Sequence, residues 1–211
     1  MIYAIGDSYT YGEELADQNL AWPAVLAHRL NQPVTNLGRN GTGNHRIVKR
    51  AIDCVLNGQA RLLLIGWTEP FRREFSDNDG TYCIWANNNW ATSTHHSHRS
   101  EMAKYVIANG NEEYYYVNWL REIILVQNLC RANNVPVVMA TSFNGEYPSR
   151  YESKYQALIK HIDTSRFIGW PDETMDMWTQ DLPRGPMHHP LEAGHKVIAE
   201  KYYEIAKNIR Y

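Results

Sequence analysis

Short apolar segments alternate with amphipathic helical patterns along most of this sequence. The clearest segment is RLLLIG at residues 61–66, and similar ones lie at residues 2–6, 34–37, 135–140 and 166–170. Compact apolar segments of this kind are typical of buried parallel strands. Strands that alternate with helices predict βαβ units, in which right-handed crossovers cover both faces of a parallel sheet. The pattern therefore predicts a three-layer, doubly wound α/β fold with five strands.

The segments between the predicted strands show helical periodicity. Trp22, Leu26 and Leu30 recur four residues apart, which predicts an amphipathic helix with Pro23 in its first turn. Asn44 is a suitable cap for the next helix. Further helices are predicted over residues 112–133, 151–162 and 191–209.

Residues 67–111 interrupt this alternation. They contain many Asn, Ser, Thr and His residues, several Trp residues and little periodicity. A loop of this length inside a compact domain is expected to be functional or to carry irregular structure of its own. Because neither a repeat nor a linker divides the chain, we expect a single domain over residues 1–211 with an irregular insertion at about 67–111.

The charge and hydropathy of the chain argue against two classes of partner. Its 21 basic and 23 acidic residues give a net charge of −2, so no overall field attracts nucleic acid or an anionic membrane surface. No window approaches about 18 uninterrupted apolar residues, which is the length that a membrane-spanning helix needs. We therefore expect no nucleic-acid partner and no membrane association, while the oligomeric state is left open.

The cysteines and the first residues favour a cytoplasmic protein. Cys54, Cys83 and Cys130 are odd in number and far apart, which indicates reduced thiols rather than a disulfide framework. Residues 1–6 lack the basic and long apolar regions of a signal peptide and are typical of a first strand. A place in a virion, or export by another route, is left open.

Polar and glycine-rich segments follow three of the predicted strands. They read GDSYTYG at residues 6–12, NLGRNGTGN at residues 36–44 and GWTE at residues 66–69. A fourth segment, HPLEAGH at residues 189–195, precedes the last helix. Because the ligand crevice of an open parallel sheet lies beyond the carboxyl ends of its strands, we expect these segments to form one site.

Ser8 and His189 are the candidates for nucleophilic catalysis in that site. A serine is a weak nucleophile by itself, so it requires a base within hydrogen-bond reach and amide donors for the developing oxyanion. His189 lies where it can reach back over the sheet edge, and the glycines after the second strand leave backbone N–H groups accessible. A turn serine or a His-Pro pair alone usually has a local structural role, whereas the combination favours nucleophilic catalysis.

These segments resemble the sequence blocks of the SGNH (GDSL-type) hydrolase family. Residues 6–12 are similar to its first block, and Asn36 followed by Gly41 is similar to its second. Residues 189–195 are similar to the final block, which contains the histidine. The resemblance extends from residue 5 to the last helix, and the first and final blocks together are its most specific part.

This resemblance implies both a fold and a set of roles. The fold is a flavodoxin-like sheet of strand order 2-1-3-4-5, and the activity is ester hydrolysis through an acyl-serine intermediate. Ser8 would be the nucleophile and His189 the general base. The amides of Ser8 and Gly41, together with a third donor, would form the oxyanion hole.

The third block departs from the family pattern. The family has Gly-x-Asn-Asp, with the Asn side chain as the third oxyanion donor, whereas residues 66–69 are GWTE. The hydroxyl of Thr68 would have to replace that amide, because a hydroxyl can donate one hydrogen bond. Loss of one oxyanion donor costs about 10²–10³ in rate, so the substitution predicts a slower enzyme.

The acid of the triad is the second departure. The family places an Asp three residues before the histidine, and this chain has Pro186 there. Something must accept the other ring N–H of His189 and stabilise the imidazolium that forms during catalysis. We expect a backbone carbonyl of residues 184–187 to do so, with a displaced aspartate as second choice, taken from Asp181, Asp176 and Asp172.

The insertion is expected to cover the site and to bind the substrate. Trp67, Trp85 and Trp90, with Tyr82, have the flat faces and polar tips that suit a sugar ring. Since the insertion is mostly polar, it favours acetyl or other short acyl esters, on a carbohydrate or a small molecule, over lipid-like esters. Neither a metal nor a cofactor is expected.

Other interpretations of the sequence are left open. The altered third block and the missing Asp are compatible with a catalytically weakened binding or structural module, and residues 66–70 are similar to compact SGNH-like proteins of tailed phages. A flavodoxin-like nucleotide binder is a further alternative. Three weaker patterns are also present. His95, His96 and His98 form a histidine tract of the kind that binds metal, and Glu13 and Glu14 form a carboxylate pair of the kind used in glycoside hydrolysis. Residues 41–43 resemble a phosphate cradle but lack the lysine of a P-loop.

Overall fold

The computed structural model describes residues 1–77, 80–85, 104–105, 108, 110–143 and 152–210. The strands in these ranges are β1 (Ile2–Gly6), β2 (Val34–Asn36), β3 (Leu62–Trp67), β4 (Arg72–Asp77), β5 (Gly80–Trp85) and β6 (Val137–Thr141). The helices are α1 (Ser8–Tyr11), α2 (Trp22–Leu30), α3 (Asn44–Leu56), α4 (Glu112–Ala132), α5 (Gln156–Ile159), α6 (Met175–Thr179) and α7 (Glu192–Ala206). Two 3-10 turns cover Gln18–Leu20 and Thr164–Arg166.

The main sheet is parallel and has the strand order β2-β1-β3-β6. Gly6 at the end of β1 lies opposite Gly66 of β3, and Trp67 at the end of β3 lies opposite Thr141 of β6. The carboxyl ends of the strands therefore meet at one edge of the sheet. The predicted α/β architecture with a parallel sheet is confirmed.

Helices cover both faces of this sheet, and the alternation of side chains along β3 shows how. Leu63 and Ile65 point into a core that contains residues of α3 and α4. Leu62 and Leu64 point to the opposite face, where they pack with residues of α2 and α7. Because successive side chains of a strand face opposite sides, a continuous apolar strand requires two apolar layers.

The described residues contain four strands in the main sheet, so the prediction of five is wrong. The segment predicted as the fifth strand makes one parallel bridge, between Met139 and Phe167, and Ile168 N–H donates to the Met139 carbonyl over 2.7 Å. The chain then turns at Gly169, which has a φ of +78°. Residues after Gly169 leave the edge of β6, because a left-handed residue does not continue an extended strand.

The insertion after β3 contains an antiparallel hairpin. Its strands β4 and β5 pair from Arg72 opposite Trp85 to Asp77 opposite Gly80. The following residues, 86–103, lie outside the described part of the chain. Within the described ranges, no helix combines the length and the apolar character needed to cross a membrane.

Candidate active site

Ser8 lies at the carboxyl edge of the sheet, in a tight turn from β1 into α1. Asp7 caps α1, since its Oδ1 accepts a hydrogen bond of 3.0 Å from Tyr9 N–H. Gly6 leaves no room for a side chain, because a Cβ there would lie 2.1 Å from Thr10 Oγ1. Ser8 is 4% exposed, so only a small part of it reaches the crevice.

The glycine-rich segment after β2 is tied to this turn by hydrogen bonds. Arg39 N–H donates to the Gly6 carbonyl over 3.0 Å, and Asn36 Nδ2 donates to the Thr10 carbonyl over 2.9 Å. Gly41 follows, exposed and with a φ of +67°. The first two predicted blocks are therefore adjacent in the structure.

Asn44 connects the start of α3 to the residues after β3. Its Nδ2 donates to the carbonyls of Thr68 and Glu69 over 3.0 and 3.2 Å, and its Oδ1 accepts from Thr68 N–H over 3.0 Å. Thr68 is fully buried, and a hydrogen bond from its hydroxyl favours the charged form of the buried Asp7 carboxyl. A hydroxyl donates one hydrogen bond at a time, so the role of Thr68 as an oxyanion donor stays a prediction.

The ring of His189 lies against the Ser8 turn. It meets the ring of Tyr9, the residue after Ser8, edge-on with 5.8 Å between the ring centroids. His189 follows a compact turn in which Gly185 N–H donates to the His189 carbonyl and His188 N–H donates to the Gly185 carbonyl. The structure thus brings the first and final blocks together.

Glu14 is the acid that contacts His189, and sequence reasoning missed it. Its Oε2 lies 3.0 Å from His189 Nδ1, and the two side chains are only 11% and 14% exposed. The carboxylate also accepts hydrogen bonds from the backbone N–H groups of Met187 and His189, over 2.8 and 3.1 Å. Burial opposes ionisation of Glu14, but these hydrogen bonds and the His189 ring lower its pKa.

The expectations for the acid are corrected accordingly. A backbone carbonyl of residues 184–187 was expected to accept from His189, but Nδ1 contacts Glu14 Oε2 instead, and the Gly185 carbonyl accepts from His188 N–H. Asp176 Oδ1 accepts from Tyr9 Oη and from Arg184 Nη1, each over 2.7 Å. Asp172 and Asp181 are exposed. A clue was present in the sequence, because Glu14 follows the first block closely, but its pairing with His189 depends on the fold.

The prediction that Trp67 contacts substrate is also wrong. Trp67 is fully buried, belongs to the core beneath α3 and α4, and donates from Nε1 to Met139 Sδ over 3.3 Å. As the last residue of β3, it continues the face of Leu63 and Ile65. The side chain of Trp85 and all of Trp90 lie outside the described part of the chain, as does Tyr82's side chain.

His195, the second histidine of the final block, has a structural position. It is fully buried, and its Nδ1 accepts a hydrogen bond of 3.1 Å from Trp22 N–H at the start of α2. Burial lowers the pKa of His195 to about 4, so the ring is neutral at physiological pH. His195 therefore joins α7 to α2 rather than carrying charge in the site.

No group of three potential metal ligands occurs in the ranges that the structure describes. The histidine tract lies outside those ranges; it comprises His95, His96 and His98.

Comparison with family models assigns the chain to a family. Residues 10–209 match the model of a family of unknown function, DUF6071. The chain belongs to DUF6071. No curated protein matches this DUF6071 member in sequence.

Solved structures resemble this DUF6071 chain in fold at low sequence identity. A member of the lipolytic protein G-D-S-L family from Veillonella parvula DSM 2008 is 14% identical, with a TM-score of 0.56, over 99% of this chain and 98% of its own. The psychrotrophic esterase EstA from Pseudoalteromonas sp. is 12% identical, with a TM-score of 0.57, over 98% and 96%. A family two carbohydrate esterase from Clostridium thermocellum, in complex with cellohexaose, is 15% identical, with a TM-score of 0.53, over 98% and 63%. The DUF6071 chain therefore shares the fold of these proteins.

Proposed function

We propose that this protein hydrolyses esters through an acyl intermediate on Ser8, with His189 as the general base. The observation that carries the proposal is the position of the His189 ring, which lies against the Ser8 turn with Nδ1 beside a carboxylate. With Nδ1 occupied, Nε2 is the ring nitrogen that can take the proton of a serine. The lipolytic protein and the esterase that share this fold support the same reaction class.

The reaction follows from this arrangement. Ser8 Oγ attacks the ester carbonyl carbon while its proton passes to His189 Nε2, and a tetrahedral oxyanion forms. Amides of Ser8 and Gly41 and the hydroxyl of Thr68 stabilise that oxyanion. The proton on His189 then leaves with the alcohol, and a water molecule, deprotonated by the same nitrogen, releases the acid from Ser8.

A polar cavity lies next to the third block, and although its lining includes neither Ser8 nor His189, we propose that it accepts the alcohol part of the substrate. It has a volume of about 460 Å³ and is lined by Asn44, His45, Arg72, Tyr115, Asn118 and Arg121, among others. This volume falls in the usual range for small-molecule sites, and its amide and guanidinium donors with an aromatic face suit sugar hydroxyls. We infer that the protein removes short acyl groups, such as acetyl, from a carbohydrate or a small molecule.

Labelling with a fluorophosphonate probe tests the proposal. The wild-type protein and a Ser165→Ala control, which alters an exposed serine of a 3-10 turn, should both label. Ser8→Ala should not label, and its hydrolysis of p-nitrophenyl acetate should fall at least ~10³-fold. Acetylated oligosaccharides should be better substrates than a palmitoyl ester. Absence of labelling in the wild type, or equal rates in Ser8→Ala, would instead support a binding module that retains the fold.

A further inference from the structure

We propose that Glu14 orients His189 and balances its charge during catalysis, in place of the aspartate that Pro186 replaces. This inference rests on the proposed roles of Ser8 and His189. The SGNH pattern has the acid three residues before the histidine, whereas Glu14 lies 175 residues before it, in the loop that follows the nucleophile turn. Glu14 is a positioning residue, since it acts on the reaction through His189.

The contact with Glu14 selects one tautomer of the imidazole. An ionised carboxylate only accepts hydrogen bonds, so at 3.0 Å from Oε2 the proton must lie on His189 Nδ1. Nε2 then carries the lone pair that takes the proton of Ser8. When the ring becomes an imidazolium, the negative charge of Glu14 stabilises it, and Glu14 itself stays unprotonated.

The surrounding backbone is shaped to receive this carboxylate. A Cβ on Gly185 would lie 2.5 Å from the Glu14 carboxyl carbon, so a residue with a side chain does not fit there without displacement. Glu14 itself has a φ of +68°, in a region that non-glycine residues seldom occupy. Two backbone N–H groups, of Met187 and His189, converge on its oxygens. Left-handed backbone and converging donors at one side chain indicate a functional constraint more than a surface ion pair.

The other groups that face His189 do not compete for Nδ1. Tyr9 meets the ring edge-on, and its Oη donates to Asp176. His195 is buried and neutral, with Nδ1 accepting from Trp22 N–H. Arg184 donates to Asp176 and to the His188 carbonyl, which holds the turn that carries His189. Within the part of the chain that the structure describes, Glu14 is therefore the carboxylate placed to balance the charge of the imidazolium.

Glu14→Gln tests the inference against its neighbour Glu13→Gln, a matched control that leaves the contact with His189 intact. Glutamine cannot carry the charge, and it presents an N–H or a neutral oxygen to Nδ1, which disturbs the tautomer. We expect kcat for p-nitrophenyl acetate to fall by up to about 10⁴-fold, the loss typical of a triad without its acid, with little change in KM. Glu13→Gln should keep wild-type kcat, and Glu14→Asp, which restores the charge on a shorter side chain, should recover part of the loss.

A spectroscopic measurement separates orientation from a structural role. In the wild type, ¹⁵N–¹H NMR should show a downfield proton on Nδ1 of His189, assigned by its loss in His189→Gln. This experiment needs no Glu14 variant to fold. Absence of that proton, or a Glu14→Gln variant that keeps wild-type kcat, would overturn the role of Glu14. If the role of Glu14 is overturned but the wild type still labels on Ser8 with fluorophosphonate, the proposed function is retained. Absence of labelling refutes the proposed function itself.

Discussion

Replacing Gly185 with alanine disturbs the contact between Glu14 and His189 without altering either side chain. A Cβ at residue 185 would lie 2.5 Å from the Glu14 carboxyl carbon and 2.6 and 2.7 Å from its oxygens. Ordinary van der Waals contact begins at 3.4 Å, so the carboxylate or the turn must move by about 0.7–0.9 Å. The carboxylate is held by two backbone N–H groups and the His189 ring, so this movement stretches several hydrogen bonds at once.

The expected effect of this displacement is large on activity and moderate on stability. A misplacement of about 1 Å in a catalytic arrangement costs roughly 10²-fold in rate, so kcat of Gly185→Ala should fall by about that factor. KM should change little, because the substitution acts on the base. Overpacking of a filled site typically destabilises a fold by about 1–3 kcal/mol, which leaves a measurable folded population.

Steady-state hydrolysis of p-nitrophenyl acetate, with thermal unfolding of the same samples, is the appropriate assay. Gly58→Ala is the control, since Gly58 has a φ of +67° but open space around it beyond the end of α3. An alanine in that conformation costs about 1–2 kcal/mol of stability, and kcat of the folded protein should be unaffected. A Gly185→Ala variant with wild-type kcat and unchanged thermal stability would refute the reasoning.

Two further predictions concern stability. Burial opposes ionisation of Glu14, but hydrogen bonding lowers its pKa below 4.5. The carboxylate therefore stabilises the fold above about pH 4.5, and this contribution is lost as the pH falls through the lowered pKa. The free energies of unfolding of wild type and Glu14→Gln, measured in urea, should differ less at about pH 3 than at about pH 7. An equal difference at both pH values would contradict this prediction. Asn44→Ala removes three hydrogen bonds to the backbone after β3 and should lower the free energy of unfolding by about 2–4 kcal/mol. The exposed Asn57→Ala should change it by less than about 0.5 kcal/mol, and similar values for both variants would show that the Asn44 contacts contribute little.

Local patterns in the sequence were sufficient to predict the architecture. Compact apolar segments separated by helical periodicity predicted a parallel sheet between two helical layers, because strand and helix periods follow from backbone geometry within a few residues. The same patterns located the segments after β1, β2 and β3 that meet at the carboxyl edge. The roles of Ser8, Gly41, Thr68 and His189 were assigned by resemblance, and they stay predictions until the labelling experiment is done.

Three features depended on tertiary structure. The predicted fifth strand is reduced to a single bridge because the chain turns at Gly169 after meeting β6. Trp67 is core rather than substrate-facing, because the face of a strand residue depends on which helices pack above it. Glu14 meets His189 across 175 residues, because the loop after α1 and the turn before α7 converge above the sheet edge. A contact of this kind has no local period or spacing, so only the folded chain determines which acid the histidine meets.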